Sequence, residues 1–275
     1  MKKACVIGYP IAHSRSPIIH NYWLKKYGLE GSYEKREVKP EDLARFLTNL
    51  PSHGYVGCNV TIPHKEAAIP LMGRVDDIVR RTGSLNTVYL DSGIISATSS
   101  DGEGFYQNLM SSAAPQLDGG IAVVLGAGGA AHAIIDRLLR TGLAKIKIVN
   151  RTEARARELA DLFGPKVEIG SFGKESKETV LLVNTTSQGM KGQPVLDLDL
   201  SSLPATCVVG DIVYVPLKTD LLKQAEACGL RTVGGLGMLL HQAVVGFEKW
   251  FGVRPEVTQE LYDLIAKDVD PEYGR

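Results

Sequence analysis

Short apolar runs alternate with amphipathic segments along the first hundred residues. The apolar runs predict strands over Lys3 to Gly8, Ser32 to Val38 and Tyr55 to Thr61. A helix is predicted after Pro40, where apolar side chains recur on one helical face at Leu43, Phe46, Leu47 and Leu50. The first part of the chain is therefore predicted to be an α/β domain.

A second alternation begins at Ile121. Strands are predicted over Ile121 to Leu125, Lys145 to Asn150 and Val180 to Asn184, with helices from about Gly129 and over Glu153 to Phe163. Strands that alternate with helices in this way predict a parallel, doubly wound sheet.

The boundary between the two domains is predicted between residues 103 and 118. A helix begins near Asp101, and the turn-rich stretch from Ser111 to Gly120 follows it. The segments 237–251 and 255–266 have helical spacing and are expected to pack back on the first domain. The predicted domains are residues 1–103, 104–237 and 238–275.

Composition narrows the class of protein. Of 275 residues, 44% are hydrophobic and 23% charged, and no apolar run approaches the ~18 residues of a membrane span. The start MKKACVIG has too short an apolar stretch for a signal peptide, so a cytoplasmic location is expected. With 31 basic and 31 acidic residues, no overall charge favours nucleic acid. The four cysteines form no C-x-x-C pair, so buried thiols are expected and no metal site.

A glycine-rich turn lies between the first strand and first helix of the second alternation. It consists of Gly126, Ala127, Gly128, Gly129 and Ala130. Glycines there let the backbone approach a pyrophosphate, which binds the free N–H groups of the helix N-terminus. The spacing departs from G-x-G-x-x-G, and a strand-to-helix turn without a ligand is the alternative.

The next strand ends without the carboxylate that usually binds the ribose of NAD. Asn150, Arg151, Thr152 and Arg155 stand there instead. Guanidinium groups suit the 2′-phosphate of NADP, so NADP is preferred over NAD. The alternative is that both arginines are solvated residues at a helix start, although they would oppose the helix dipole there.

Further polar clusters lie in the first domain and near the end of the chain. Ser14 and Ser16 can hold a carboxylate, although Ser16 before Pro17 is equally suited to cap a helix. A strand delivers Asn59 and Thr61, and Lys65 follows. Asn86, Asp101 and Gln242 supply further amides and a carboxylate. Lys65 with Asp101 could transfer protons, but a surface salt bridge is the more ordinary reading of that spacing.

These motifs occur in an order that resembles the shikimate dehydrogenase family over nearly the whole chain. The matching segments are GYPIAHSRSPIIHN, NVTIPHKE, LNTV, SDGEGF, GAGGAA, NRTEAR, VNTTSQGM, DIVYVPLKT and GLGMLLHQAVVGFEKWFG. The resemblance implies an N-terminal α/β substrate domain, a C-terminal NADP-binding Rossmann domain and a helical return to the first domain. It also implies reversible, NADPH-dependent reduction of 3-dehydroshikimate to shikimate in aromatic amino-acid biosynthesis.

The same resemblance assigns roles to individual residues. Lys65 and Asp101 are the implied catalytic pair. Substrate binding is implied for Ser14, Ser16, Asn59, Thr61, Lys65, Asn86, Asp101 and Gln242. Binding of the pyrophosphate is implied for residues 126–130, and binding of the 2′-phosphate for Asn150, Arg151, Thr152 and Arg155. The ribose and nicotinamide fall to Thr185, Ser187, Tyr214, Gly237 and Met238. No metal is required, the expected partner is the small-molecule substrate, and the protein is expected to be a monomer or homodimer.

The chain departs from the family pattern next to Asp101. Ser99 and Ser100 stand where the family usually has Asn and Thr, and Ser84 stands where it usually has Ala. Because serine offers fewer donors and acceptors than asparagine, the substrate contacts are expected to differ. A paralogue acting on quinate or on another polyhydroxy or amino ring acid is therefore the first alternative. A non-catalytic nucleotide-sensing protein is the second.

Overall fold

The computed structural model describes residues 1–173 and 176–274, which form two compact units. The first unit comprises Met1–Asp101 and Leu240–Ile265, and the second comprises Gly102–Leu239 and the residues from Ala266 onward. The predicted boundaries after residues 103 and 237 lie two residues from these. The segment from residue 238 to the end, predicted as one piece, is divided between the two units.

The first unit is built on a mixed six-stranded sheet. Its strands are β1 Lys2–Gly8, β2 Gly31–Glu37, β3 Tyr55–Val60, β4 Arg74–Val75, β5 Thr87–Asp91 and β6 Ile94–Thr98. Its helices are α1 Ser16–Lys26, α2 Leu43–Thr48 and α3 Asp77–Thr82. The strand order is β2-β1-β3-β5-β6-β4, and β5 runs antiparallel to both β3 and β6. The β5–β6 hairpin is absent from the sequence prediction.

Two different cores stabilise this sheet. One cluster gathers alternate residues of β1 and β3, such as Cys5, Ile7 and Val60, with the apolar face of α2. The other is aromatic and consists of His20, Trp23, Tyr33, Phe247 and Trp250. These side chains come from α1, β2 and the later segment 240–265, so that segment completes the hydrophobic core of the first unit.

The second unit contains a fully parallel six-stranded sheet, as predicted. Its strands are β7 Ile121–Leu125, β8 Lys145–Val149, β9 Val167–Ile169, β10 Thr179–Asn184, β11 Val208–Asp211 and β12 Arg231–Val233. The order is β12-β11-β10-β7-β8-β9. The remaining helices are α4 Asp101–Ser112, α5 Gly129–Leu138, α6 Glu153–Phe163, α7 Asp220–Ala227, α8 Gly235–Phe251 and α9 Gln259–Val269, of which α4, α8 and α9 include residues of both units.

Both faces of the parallel sheet are buried. Ala122 and Val124 belong to one core cluster, whereas Val123 and Leu125 belong to another. Burial on both sides explains why β7 has no polar alternation. In β10 and β11, likewise, the polar side chains stand only at strand ends.

The structure was also compared with the expectations for membrane spans, metal-binding groups and cysteine burial. In the described ranges, no helix is long and apolar enough to cross a membrane. Residues 1–173 and 176–274 also hold no group of three or more His, Cys, Asp or Glu side chains able to bind a metal ion. Cys5, Cys58 and Cys207 are buried as expected, but Cys228 is exposed, so the expectation of burial is wrong for that thiol.

Candidate active site

Lys65 and Asp101 form an ion pair in the first unit. Lys65 lies in the turn after β3, and Asp101 begins α4. Lys65 Nζ donates to Asp101 Oδ2 at 2.5 Å, and the two side chains are only 23% and 9% exposed. The expectation of a surface salt bridge is therefore wrong. Because sheltering an ion pair costs solvation energy, this arrangement favours a chemical role over a stabilising one.

The turn that carries Lys65 is fixed by hydrogen bonds on both sides. The buried His64 ring shares a 2.7 Å hydrogen bond with the Val38 carbonyl oxygen. The Leu85 N–H donates to the Lys65 carbonyl at 3.1 Å. These contacts tie the backbone around Lys65 to the end of β2 and to the segment before β5, so the ammonium group is held on a rigid support.

Asn86 connects the ion pair to three other polar groups. Its Nδ2 donates to Asp101 Oδ1 at 2.8 Å and to Gln242 Oε1 at 3.3 Å. Its Oδ1 accepts from the Ser100 N–H at 2.9 Å and from Thr87 Oγ1 at 2.8 Å. Both carboxylate oxygens of Asp101 are thus engaged, one by Lys65 and one by Asn86, which fixes the orientation of the carboxylate.

Asn59 extends this network to a tyrosine that sequence reasoning missed. Asn59 Nδ2 donates to the Asn86 carbonyl at 3.1 Å, and the Tyr33 hydroxyl donates to Asn59 Oδ1 at 2.6 Å. Burial raises the pKa of Tyr33, while a hydrogen bond with Ser16 acts in the opposite direction. Tyr33 therefore joins two residues predicted to bind substrate. Thr61 follows β3, with its backbone N–H bonded to the Ile7 carbonyl at 2.9 Å.

Ser14 and Ser16 lie together after β1. Ser14 Oγ donates to Ser16 Oγ at 3.3 Å and accepts from the Ser16 N–H at 3.4 Å. Arg15 occupies the N-cap position of α1, and no side chain caps that helix. The alternative role of Ser16 as a helix cap is therefore wrong. Its side chain faces Ser14 and Tyr33, and the paired hydroxyls retain the capacity to bind an anion.

The three serines that depart from the family pattern occupy different environments. Asn86 Nδ2 donates to Ser100 Oγ at 3.0 Å, so Ser100 belongs to the polar network. The hydroxyl groups of Ser84 and Ser99 are buried and have no hydrogen-bond partner among residues 1–173 and 176–274. All three serines are buried, and of the three only Ser100 is bonded to Asn86 and so placed to influence substrate contacts.

The glycine-rich turn of the second unit has the features of an anion site. Gly126 has a φ of +108°, and a Cβ there would lie 2.7 Å from Thr185 Oγ1, so a larger residue is excluded. Gly128 precedes α5 without a side-chain cap, and no heavy atom lies within 4 Å of where its Cβ would be. The helix therefore begins without a side-chain cap and beside open space at Gly128, which fits a phosphate group.

Exposed cationic and polar groups follow β8. Arg151 and Arg155 are exposed, and neither forms an ion pair within the described part of the chain. Thr152 precedes α6 without capping it, and Asn150 Nδ2 donates to the Thr152 carbonyl at 2.8 Å. Two guanidinium groups without an acidic partner beside a helix start fit the 2′-phosphate of NADP.

The residues predicted to contact the ribose and nicotinamide lie after β10 and β11 and at the start of α8. Thr185 is buried and its hydroxyl donates to the Leu125 carbonyl at 2.7 Å, whereas Ser187 is exposed and Tyr214 half-buried. Gly237 is buried against the Asn108 side chain. Met238 belongs to a hydrophobic core cluster of the second unit, so packing alone accounts for much of its burial.

Comparison with protein families gives three matches along the chain. Residues 6–88 match the shikimate dehydrogenase substrate binding domain. Residues 108–188 match the shikimate / quinate 5-dehydrogenase family, and residues 235–259 match the shikimate 5′-dehydrogenase C-terminal domain. The matches cover parts of both units and preserve the predicted order of domains.

Individual relatives match over nearly the full length. Shikimate dehydrogenase (NADP(+)) of Rhodopseudomonas palustris strain TIE-1 is 52% identical over 274 residues, 98% of each chain. The protein of that name from Nitrobacter winogradskyi is 52% identical over 272 residues, 98% of this chain and 97% of the relative. A Thermus thermophilus shikimate 5-dehydrogenase, solved with NADP(H) and shikimate, is 34% identical, with a TM-score of 0.87 over 98% of this chain and all of that chain.

Proposed function

The chain belongs to the shikimate dehydrogenase family, and on that premise we propose that it interconverts 3-dehydroshikimate and shikimate with NADPH and NADP⁺. The observation that carries the proposal is the sheltered Lys65–Asp101 pair, oriented by Asn86 in a polar network of the first unit. The reaction belongs to aromatic amino-acid biosynthesis. A cytoplasmic location and a monomeric or homodimeric state stay predictions.

The polar residues of the first unit account for recognition of a hydroxylated ring acid. The paired hydroxyls of Ser14 and Ser16 bind the carboxylate of the substrate. Amide groups of Asn59, Asn86 and Gln242, with the hydroxyl of Thr61, bind its ring hydroxyls. A site built from hydrogen-bonding groups discriminates strongly against an analogue that leaves one of them unpaired.

Lys65 handles the proton of the reaction. In the reducing direction its ammonium group donates a proton to the keto oxygen as that oxygen gains negative charge. Asp101 accepts a hydrogen bond from Lys65 and keeps the ammonium group pointed at the substrate. Asn86 holds the other oxygen of Asp101, so the carboxylate does not rotate away. In the oxidising direction, the neutral amine takes the proton back from the hydroxyl group.

The second unit supplies the residues that hold the cofactor. Residues 126–130 bind the pyrophosphate, and Asn150, Arg151, Thr152 and Arg155 bind the 2′-phosphate. Thr185, Ser187, Tyr214, Gly237 and Met238 line the ribose and nicotinamide. When bound, NADPH supplies the hydride that reduces the keto carbon. The protein contributes orientation and charge stabilisation around the reacting carbonyl.

Two alternatives lead to different measurements. A quinate-directed enzyme is the alternative raised by Ser100, which replaces the threonine usual in the family and bonds Asn86, a residue proposed to bind the ring hydroxyls. Initial rates of NADP⁺ reduction with shikimate and with quinate, repeated with NAD⁺, compare the two. The highest kcat/KM is expected for shikimate with NADP⁺. A preference for quinate would overturn the substrate assignment, and NADPH binding without turnover on either acid would favour a nucleotide sensor.

Substitution of Lys65 tests the catalytic assignment. Lys65→Ala is expected to lower kcat by about 100-fold or more, because proton transfer to the keto oxygen is lost, while the Kd for NADPH stays unchanged. The matched control is Lys145→Ala, which removes a lysine from an exposed pair with Glu168. Undiminished turnover in Lys65→Ala would refute the role assigned to this lysine.

A further inference from the structure

Two buried polar side chains lie at the ends of neighbouring strands of the parallel sheet, and neither belongs to the proposed substrate or cofactor contacts. Asn184 is the last residue of β10 and Asp211 the last of β11, and they are directly paired in the sheet register. Their exposed fractions are 0% and 2%. Polar groups buried to this degree need hydrogen-bond partners, and the identity of those partners shows what the two residues hold in place.

Asn184 organises the loop that follows β10. Its Nδ2 donates to the Gln188 carbonyl at 3.1 Å, and its Oδ1 accepts from the Thr186 N–H at 3.0 Å and from Thr186 Oγ1 at 2.7 Å. The side chain thus closes the turn over residues 185–188 from within. Nδ2 also donates to Asp211 Oδ1 at 3.0 Å, which connects this turn to the next strand.

Asp211 organises the loop that follows β11 by holding both of its ends. Oδ1 accepts from the Val213 N–H at 3.0 Å, and Oδ2 accepts from Thr219 Oγ1 at 2.7 Å. The Lys191 N–H donates to the Val215 carbonyl at 2.9 Å, so the two loops are also joined through their backbones. One carboxylate therefore fixes where the loop over residues 212–219 starts and where it ends.

We propose that Asn184 and Asp211 are positioning residues for the cofactor, acting through the loops that carry Thr185, Ser187 and Tyr214. The inference rests on the proposed function, which assigns those three residues to the ribose and nicotinamide. Neither Asn184 nor Asp211 is assigned a direct contact with the cofactor. Their contribution is to hold the contacting residues in one arrangement before the cofactor binds, which reduces the entropy lost on binding.

The hydrogen-bond pattern predicts which substitutions are tolerated. Asp211→Asn keeps an oxygen that accepts from Asn184 and Val213, and its amide group can donate to the Thr219 hydroxyl. Asp211→Ala removes all three contacts. Leu143→Ala is a matched control, since Leu143 is buried in the same unit just before β8, at the opposite end of the sheet from these loops.

The experiment measures NADPH binding by titration calorimetry and hydrogen exchange of the Val213 and Tyr214 amides without cofactor. Asp211→Ala is expected to raise the Kd for NADPH about tenfold, on the scale of one or two lost hydrogen bonds, and to speed exchange of both amides. Asp211→Asn is expected to restore both values to within about twofold of wild type. Leu143→Ala is expected to lower stability without changing the Kd.

Three outcomes would overturn the inference: unchanged NADPH affinity in Asp211→Ala, an equal loss in Leu143→Ala, or no rescue by Asp211→Asn. If Asp211→Ala does not fold, Thr219→Val tests the Oδ2 contact alone, and an unchanged Kd there counts against the inference as well. Wild-type protein that fails to bind NADPH would contradict the proposed function itself, so the two failures are distinguishable.

Discussion

The buried carboxyl group of Asp211 makes the stability of the second unit depend on pH in a definite direction. Burial raises the pKa of Asp211 from 3.8 to about 6, although hydrogen bonds from Val213, Thr219 and Asn184 oppose the change. The folded state therefore binds this proton more tightly than the unfolded state. The contribution of the protonated Asp211 to the free energy of unfolding is therefore fully present below pH 3.8 and is lost as the pH rises through about 6.

The size of the effect follows from the gap between the two pKa values. A change from 3.8 to about 6 corresponds to about 3 kcal/mol. Asp211→Asn cannot ionise, so it avoids the cost of burying a charge above pH 6. Relative to wild type, its free energy of unfolding is expected to rise by about 2 kcal/mol between pH 4 and pH 8, because the unfolded wild-type carboxyl is already partly ionised at pH 4. Other titrating groups are common to both proteins and cancel in the comparison.

The assay must follow the second unit separately. Trp23 and Trp250 are the two tryptophans of the chain and both lie in the first unit, so their fluorescence reports on that unit. Urea-dependent hydrogen exchange of peptides that cover β10 and β11 reports on the second. A wild-type-to-variant difference that stays constant from pH 4 to pH 8, or that changes in the opposite direction, would refute the reasoning.

Four further substitutions test the roles inferred for single residues. Arg151→Ala is expected to raise the Kd for NADPH about 10- to 100-fold and to change the Kd for NADH little, because a charge-assisted bond to the 2′-phosphate is lost. Equal losses for the two cofactors, or an equal effect in the control Arg157→Ala on the following helix α6, would contradict the assignment. Ser84→Ala or Ser99→Ala is expected to raise the free energy of unfolding by about 1 kcal/mol in denaturant titrations, because an unpartnered buried hydroxyl is removed. The ratio of the rates with shikimate and quinate is expected to stay the same. Ser100→Ala is expected to lower kcat/KM for shikimate about 2- to 10-fold through lost support of Asn86, and an unchanged value would separate Ser100 from the site.

Three strands of the parallel sheet, β7, β8 and β10, were predicted from sequence because they contain short apolar runs, whereas β9, β11 and β12 were not predicted. Ile121–Leu125 coincides with its prediction, and the predictions for β8 and β10 differ from the structure by one residue each. A strand that is covered on both faces is a short, continuous run of apolar residues, and such a run is typical of a buried strand. The start of α5 at Gly129 was likewise marked by the glycine-rich turn.

The β5–β6 hairpin escaped prediction although it carried a local signal. Its two-residue turn is Ser92-Gly93, and both residues have positive φ, of 51° and 82°. That conformation matches the twist of paired strands and favours glycine. The miss matters for function, since pairing of Thr87 with Thr98 brings Asn86 and Ser100 within hydrogen-bond distance.

The contacts of the first unit's site could not be predicted from spacing. Asn86 and Gln242 are 156 positions apart, and Tyr33 reaches Asn59 across 26 positions. Nothing in the local pattern around Tyr33 separates it from a strand tyrosine that only packs. The resemblance to the family identified most of these residues, and the fold shows which of them are in contact.

The two proposed sites differ in how far they can be predicted from the sequence, and the difference has a physical cause. The cofactor site of the second unit depends on backbone N–H groups, and backbone geometry constrains the residues that form it, as the positive φ of Gly126 does. Such a site is visible as glycines at fixed spacing. The site of the first unit depends on side chains that the fold gathers from β3, the hairpin and α8, and each of those residues is locally replaceable. A resemblance limited to the glycine-rich turn would therefore have identified nucleotide binding and left the chemistry open, whereas the Lys65–Asp101–Asn86 contacts support the assignment of a reaction.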